Sequence, residues 1–156
     1  MLSKVFSFAL NGLDGIPVEV ETDIFKGMVS YDIVGLPSAS VKESKDRVEA
    51  AVKNSALKFP VNKITINLAP ADVKKDGSHY DLPLALSILV ASGQLQADLS
   101  GFVFLGELAL DGTLRPVTGI LPMLISAKDK GFKRFAVPAA NANEASYLEG
   151  TEVYAF

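Results

Sequence analysis

KITINLAPADVKKDGSHYDLPLALSILVASG, residues 63–93, decides how the chain is read. It opens as a strand: Ile64, Ile66 and Leu68 alternate with Lys63, Thr65 and Asn67, which leaves one apolar face. A polar loop follows from Pro70 to Tyr80. It holds the only histidine, His79, and the adjacent lysines Lys74 and Lys75. A helix comes next. Asp81 is placed to cap it, and Pro83 fits its first turn, where a missing N–H has no helical partner to lose. Gly93 is placed to end it with φ > 0. Between Leu82 and Ala91 only Ser87 is polar, which predicts a helix buried on every side.

Upstream, residues 3–10 and 16–22 read as a hairpin. Val5, Phe6 and Phe8 precede Asn11-Gly-Leu-Asp-Gly15, and Ile16, Val18 and Val20 then alternate with Pro17, Glu19 and Glu21. Met28 to Val34 reads as a third strand, broken by Gly35-Leu-Pro37. Ser40-Val-Lys-Glu43 has the form of a capping box and opens an amphipathic helix over about 40–55. Val41, Ser44, Val48, Ala51 and Val52 lie on its inner stripe. Glu43/Arg47, Lys45/Glu49 and Glu49/Lys53 are spaced for pairs on the outer face.

Downstream, Phe102 to Leu105 reads as a strand, and residues 106–117 as a hairpin turning on Asp111-Gly112. Thr118 or Gly119 opens a helix that runs to about Lys130. A strand at 132–137, a short helix at 142–147 capped by Asn141 or Asn143, and a last strand at 151–155 complete the layout. Strands and helices alternate only in the second half. That predicts α+β, a mixed sheet with packed helices, and not a doubly wound sheet.

At 156 residues the chain has the length of one domain, and 49% apolar residues supply its core. A net charge of −3 gives no global attraction to nucleic acid. The absence of cysteine excludes disulfides, thiolate metal sites and a cysteine nucleophile, and fits a reducing cytoplasm. Met1 to Ser7 lacks a signal-peptide pattern, and the longest apolar run is too short to span a bilayer, so a soluble cytoplasmic protein with no membrane partner is expected. No Gly-x-x-x-x-Gly-Lys-Ser/Thr is present to cradle a nucleotide phosphate. One histidine with the scattered Asp72, Asp76 and Asp81 is not a metal-ligand set. No cofactor is therefore expected in this chain.

Two specific runs stand out: Asn67-Leu-Ala-Pro-Ala-Asp72, and Lys75-Asp-Gly-Ser-His-Tyr-Asp-Leu-Pro-Leu-Ala85. With Gly106–Gly119 they resemble the N-terminal domain of the magnesium-chelatase-like AAA+ proteins of the ComM/YifB type, over essentially the whole chain. The resemblance implies the ribosomal protein S5 domain 2-like fold in its Lon-protease-like variant. It also implies that residues 1–156 are a single Lon-like N-terminal domain, a fragment of a longer AAA+ ATPase. ATP and Mg would then belong to a downstream AAA+ domain, working in a homo-hexamer. Members of this type act as DNA branch-migration helicases in recombination during natural transformation, so DNA is an implied partner.

Lon-type peptidases use a Ser–Lys dyad in which a desolvated lysine takes the serine proton. Laid on this chain, the resemblance puts the serine position at His79, with Ser78 beside it, and the lysine position at Leu121. The next lysine, Lys128, lies about two turns on, roughly 10 Å along the helix axis. The family pair is missing, which implies a non-catalytic domain. Ser78 with Lys74 or Lys75 is the only replacement dyad at hand, and two adjacent loop lysines in water would stay protonated. The same polar loop at a helix N-terminus is a candidate for binding DNA or a partner, through Lys74, Lys75, Ser78 and His79. Its simpler reading is a solvated turn on Asp76-Gly77. Arg115 either joins that loop or pairs with Glu107 across its own hairpin. Residues 40–63 and 126–134 each carry a net charge of +3, while the other segments are acidic. These two would make one basic patch if they met in space, or two solvated faces if they did not. A rearranged peptidase and a protein-interaction module are the alternatives to a DNA motor's accessory domain.

Overall fold

The computed structural model describes residues 1–156. Alternating apolar residues build a seven-stranded sheet from β1 (Leu2–Asn11), β2 (Asp14–Phe25), β3 (Ser30–Val34), β4 (Lys63–Ala69), β5 (Phe102–Phe104), β8 (Arg134–Val137) and β9 (Glu152–Ala155). Their order is β3-β4-β2-β1-β5-β8-β9. β2 runs antiparallel to both β1 and β4, and the other four pairings are parallel. The sheet is therefore mixed and mostly parallel. A separate two-stranded hairpin, β6 (Glu107–Leu108) and β7 (Leu114–Arg115), stands off it.

Helices cover opposite faces of the two halves. α1 (Ala39–Asn54) and α2 (Asp81–Ala91) pack on the β4-β2-β1 half through Val5, Val20, Ile66, Leu68, Val48 and Leu84. α3 (Ile120–Asp129) and α4 (Ala142–Ala145) cover the other face, from β1 toward β8, through Phe8, Val103, Leu124 and Phe135. Side chains alternate along β1, so Val5 and Phe8 enter different cores. Ser87, the one polar residue of α2, is fully buried and satisfied. Its hydroxyl lies 2.6 Å from Thr22 Oγ1, and its carbonyl accepts from Ser3 Oγ at 2.6 Å.

Several local expectations change. α1 starts two residues early: Ser38 is its N-cap, and its Oγ accepts from Val41 N–H at 3.4 Å. Ser40 is instead drawn to Asp76, at 2.6 Å. The β6–β7 turn holds Leu110, Asp111 and Gly112, one more residue than Asp111-Gly112 alone. It is closed by Ala109 N–H to Thr113 O at 2.8 Å, with Gly112 at φ +90°. Asn141 precedes α4 without capping it, because its side chain clamps Val117 N–H at 2.8 Å and Val117 O at 3.1 Å. α2 is not buried all round: Leu82, Leu86 and Leu89 remain half-buried on one side. No helix is long and apolar enough to cross a membrane.

Candidate functional site

β4 delivers the chain to Pro70, and the loop that follows is stitched to its neighbours by backbone first. Lys75 N–H donates to Leu36 O at 3.0 Å and Lys75 O accepts from Ser38 N–H at 2.8 Å, a short parallel bridge opposite Pro37. In extended chain, successive side chains point to opposite sides. Lys74 therefore faces solvent, while Lys75 turns inward and is 0% exposed. Its Nζ donates to Gly35 O at 2.8 Å and to Pro70 O. Burial lowers its pKa below the ordinary lysine value, and Asp72 works against that shift. The expectation of two solvated lysines thus holds for Lys74 and fails for Lys75.

Asp76 caps this stitching from outside. It accepts from Ser38 Oγ at 2.8 Å and Ser40 Oγ at 2.6 Å, and Ser40 Oγ accepts from Gly77 N–H at 3.0 Å. These hydrogen bonds, that from Ser40 foremost, hold the Asp76 carboxyl below its usual range. Gly77 sits at φ +112°, and a Cβ there would come within 2.7 Å of His79 Nδ1. Glycine is required at this point for both reasons.

His79 is 7% exposed, and its Nε2–H donates to Phe8 O at 2.7 Å. Phe8 O only accepts, so this tautomer follows. Burial pushes the imidazole down to about 4, with the Phe8 bond opposing. The ring lies against Tyr80, with centroids 4.1 Å apart. Ser78 is half-buried and is hydrogen-bonded to neither lysine nor to His79.

Asp81 does not cap α2. It is fully buried, and its carboxylate takes Arg47 Nε at 2.7 Å, Arg47 Nη2 at 3.1 Å and Leu108 N–H at 3.0 Å. Burial pushes its pKa up and these partners hold it back, while Asp81 in turn raises Arg47. The Asp81 carboxylate therefore ties α1, α2 and the hairpin together. Two backbone bonds reinforce it: Gly106 N–H to His79 O and Leu82 N–H to Gly106 O, both at 3.0 Å. Sequence periodicity contains no signal for the Arg47–Asp81 pair, since 34 residues separate them. Arg47 reads there only as a partner of Glu43, which lies at a looser 3.8 Å.

The remaining candidates are dispersed. Arg115 is 62% exposed and lies 3.8 Å from Glu107, its cross-strand partner, so it belongs to the hairpin. Leu121 is the second residue of α3, and Lys128 is exposed in its last turn. Of the focal loop, Lys74 borders a cleft of about 410 Å³ with Asp72, Asp76, Leu10 and Asn11. One ammonium among two carboxylates leaves this cleft with no net positive charge. Of the two basic segments, α1 and α3 cover opposite faces of the sheet, while Arg134 lies over Phe102 on the α2 side. No group of His, Cys, Asp and Glu is arranged to hold a metal ion.

Residues 20–141 match the family model described as subunit ChlI of Mg-chelatase. Competence protein ComM of Haemophilus influenzae is 42% identical over 98% of this chain, and the YifB protein of Escherichia coli is 43% identical over 96%. A more distant similarity, 28% identity over 85% of the chain, links it to the Lon protease of Mycoplasma mycoides. The chain spans about 30% of the length of ComM and 29% of YifB, and 17% of that Lon protease. The extent of the family match and the near full-length similarity to ComM and YifB establish that this chain belongs to the magnesium-chelatase ChlI family.

Proposed function

We propose that this chain is the N-terminal, non-catalytic domain of a ComM-type AAA+ ATPase that acts on DNA. In this reading residues 1–156 are one domain with the Lon-protease-like variant of the ribosomal protein S5 domain 2-like fold. ATP and Mg serve a following AAA+ domain, in a cytoplasmic homo-hexamer that moves DNA branches in recombination and natural transformation. The observation that carries the reading is the 42% identity to a competence protein across 98% of the chain.

The geometry supports the non-catalytic half. A Ser–Lys dyad needs a neutral lysine within hydrogen-bond reach of the serine. Lys75 is desolvated, but its ammonium is held by the carbonyls of Gly35 and Pro70. Lys74 is exposed beside Asp72 and Asp76 at the mouth of a separate cleft that Ser78 does not line. His79 holds the Phe8 carbonyl, and Leu121 offers no base. Of the five contact candidates, only Lys74 and Arg115 present a charge at the surface, and each sits beside a carboxylate. Such pairs are weak phosphate ligands. Within the motor, ring assembly therefore suits this domain better than direct DNA contact.

The test uses the natural gene product. Its mass should be far above 16.6 kDa, and it should migrate four-way DNA junctions at the expense of ATP. Removing residues 1–156 should leave ATP hydrolysis and weaken hexamer formation. A natural product of 16.6 kDa would refute the motor reading. Turnover of a fluorogenic peptide that disappears with Ser78→Ala would refute the non-catalytic one.

A further inference from the structure

A cavity of about 490 Å³ lies beside α2 and is lined by no charged side chain. Leu82 and Leu86 of α2 form one wall and Leu114 of the hairpin the other, with Phe104 and Ala136 as floor and Phe156 at the end. A smaller apolar recess continues it along α2 past Leu89 to Leu57. The floor belongs to parallel strands β5 and β8, whose opposite face is covered by α3 and α4. Parallel strands are normally covered on both faces. Here the cover stops at α2, and the aromatic row continues beyond it: Phe102 packs on Phe104 and on Tyr154, with centroids 5.5 and 5.4 Å apart.

We infer that this groove is the seat of the polypeptide that follows Phe156 in the longer protein, docked through an apolar helix face. The inference rests on the reading of this chain as part of a larger ATPase. Phe156 is not a loose end. Its N–H donates to Val137 O at 3.0 Å and its carbonyl accepts from Ala139 N–H at 2.7 Å, so the fold fixes its backbone and sets its exposed side chain at the edge of the groove. Whatever follows begins at the mouth. A short tether holds such a segment at an effective concentration of about millimolar, which populates even a weak contact. The lining selects its chemistry: apolar anchors at i, i+3/i+4 and i+7 can sit between Leu86 and Leu114, whereas an anionic nucleic acid finds no charged side chain there. Relatives roughly three times as long as this chain have the residues to supply that segment.

The test is thiol accessibility. Residues 1–156 contain no cysteine, so Thr113→Cys, on the exposed lip of the groove, places a single thiol in this region. Its alkylation is followed by mass spectrometry of the peptide that carries it, in the 156-residue chain and in the natural full-length protein. The expected result is labelling at least about tenfold slower in the full-length protein, independent of protein concentration, as an intramolecular contact requires. Adding Leu86→Ser should restore the fast rate. If that variant fails to fold, Leu114→Ser on the opposite wall replaces it. Equal rates in both chains overturn the proposal. Protection that appears in the 156-residue chain only as its concentration rises also overturns it, in favour of a second copy. A full-length protein that hydrolyses ATP with an open groove loses the docking alone, whereas a natural product of 16.6 kDa loses the motor reading as well.

Discussion

The two sides of α2 are opposites. On its loop side, Lys75, His79 and Asp81 are polar and buried, and each is satisfied inside the fold. On its groove side, Leu82, Leu86 and Leu114 are apolar and left partly open. The residues whose chemistry suggests a site therefore hold the structure together, while residues that read as core line the free surface. What a side chain can do depends on which of its bonding positions are still vacant.

That contrast is broken first at Arg47. Arg47→Ala would leave the fully buried Asp81 carboxylate unpaired, at a cost of about 3–5 kcal/mol. The exposed Arg115→Ala should cost about 0–1 kcal/mol. Urea unfolding of the two variants side by side measures the difference, and equal midpoints would show that the loop side is not the structural one.

His79 gives the next largest effect. Its ordinary pKa is 6.5 and burial lowers it to about 4 in the fold. The unfolded chain thus binds a proton where the folded one does not. Stability from the neutral ring is complete above pH 6.5, falls as pH drops, and stops falling below about 4. The full loss is about 3 kcal/mol. Carboxylates titrate in the same window, so the measurement compares the stability–pH slope between pH 7 and 4 with that of His79→Gln. The variant should have the shallower slope.

Adjacent lysines sharpen the comparison further. Lys75→Ala strands the Gly35 and Pro70 carbonyls and opens a void, costing about 2 kcal/mol. Lys74→Ala at the surface should change stability by about 0.5 kcal/mol or less. The groove gives a modest effect as well. Leu114→Ser on a half-buried position should cost the 156-residue chain about 1 kcal/mol or less. A larger loss would mean that the groove wall is part of the core after all.

Periodicity made most of the fold legible. The alternation of Ile64, Ile66 and Leu68 is β4, the stripe of Val41, Ser44 and Val48 is the inner face of α1, and Gly119 and Gly131 bracket α3. The runs Asn67–Asp72 and Lys75–Ala85 identified the family. The candidate site was less legible. Nothing in Lys-Lys says that one lysine is inside. Nothing near Ser40 says that Asp76, 36 residues away, draws its hydroxyl from capping duty. An apolar α2 reads as enclosed because hydropathy reports what a residue prefers, not whether a neighbour is there to cover it.

By itself, then, the sequence determined the elements, their apolar faces and the family, because those follow from local spacing along one chain. Only the tertiary structure decided that Lys75 points inward, that Arg47 neutralises Asp81, that α1 and α3 hold their charges on opposite faces, and that the flank of α2 stays open. Each of these depends on which distant segment lies alongside, and burial and pairing are properties of that juxtaposition.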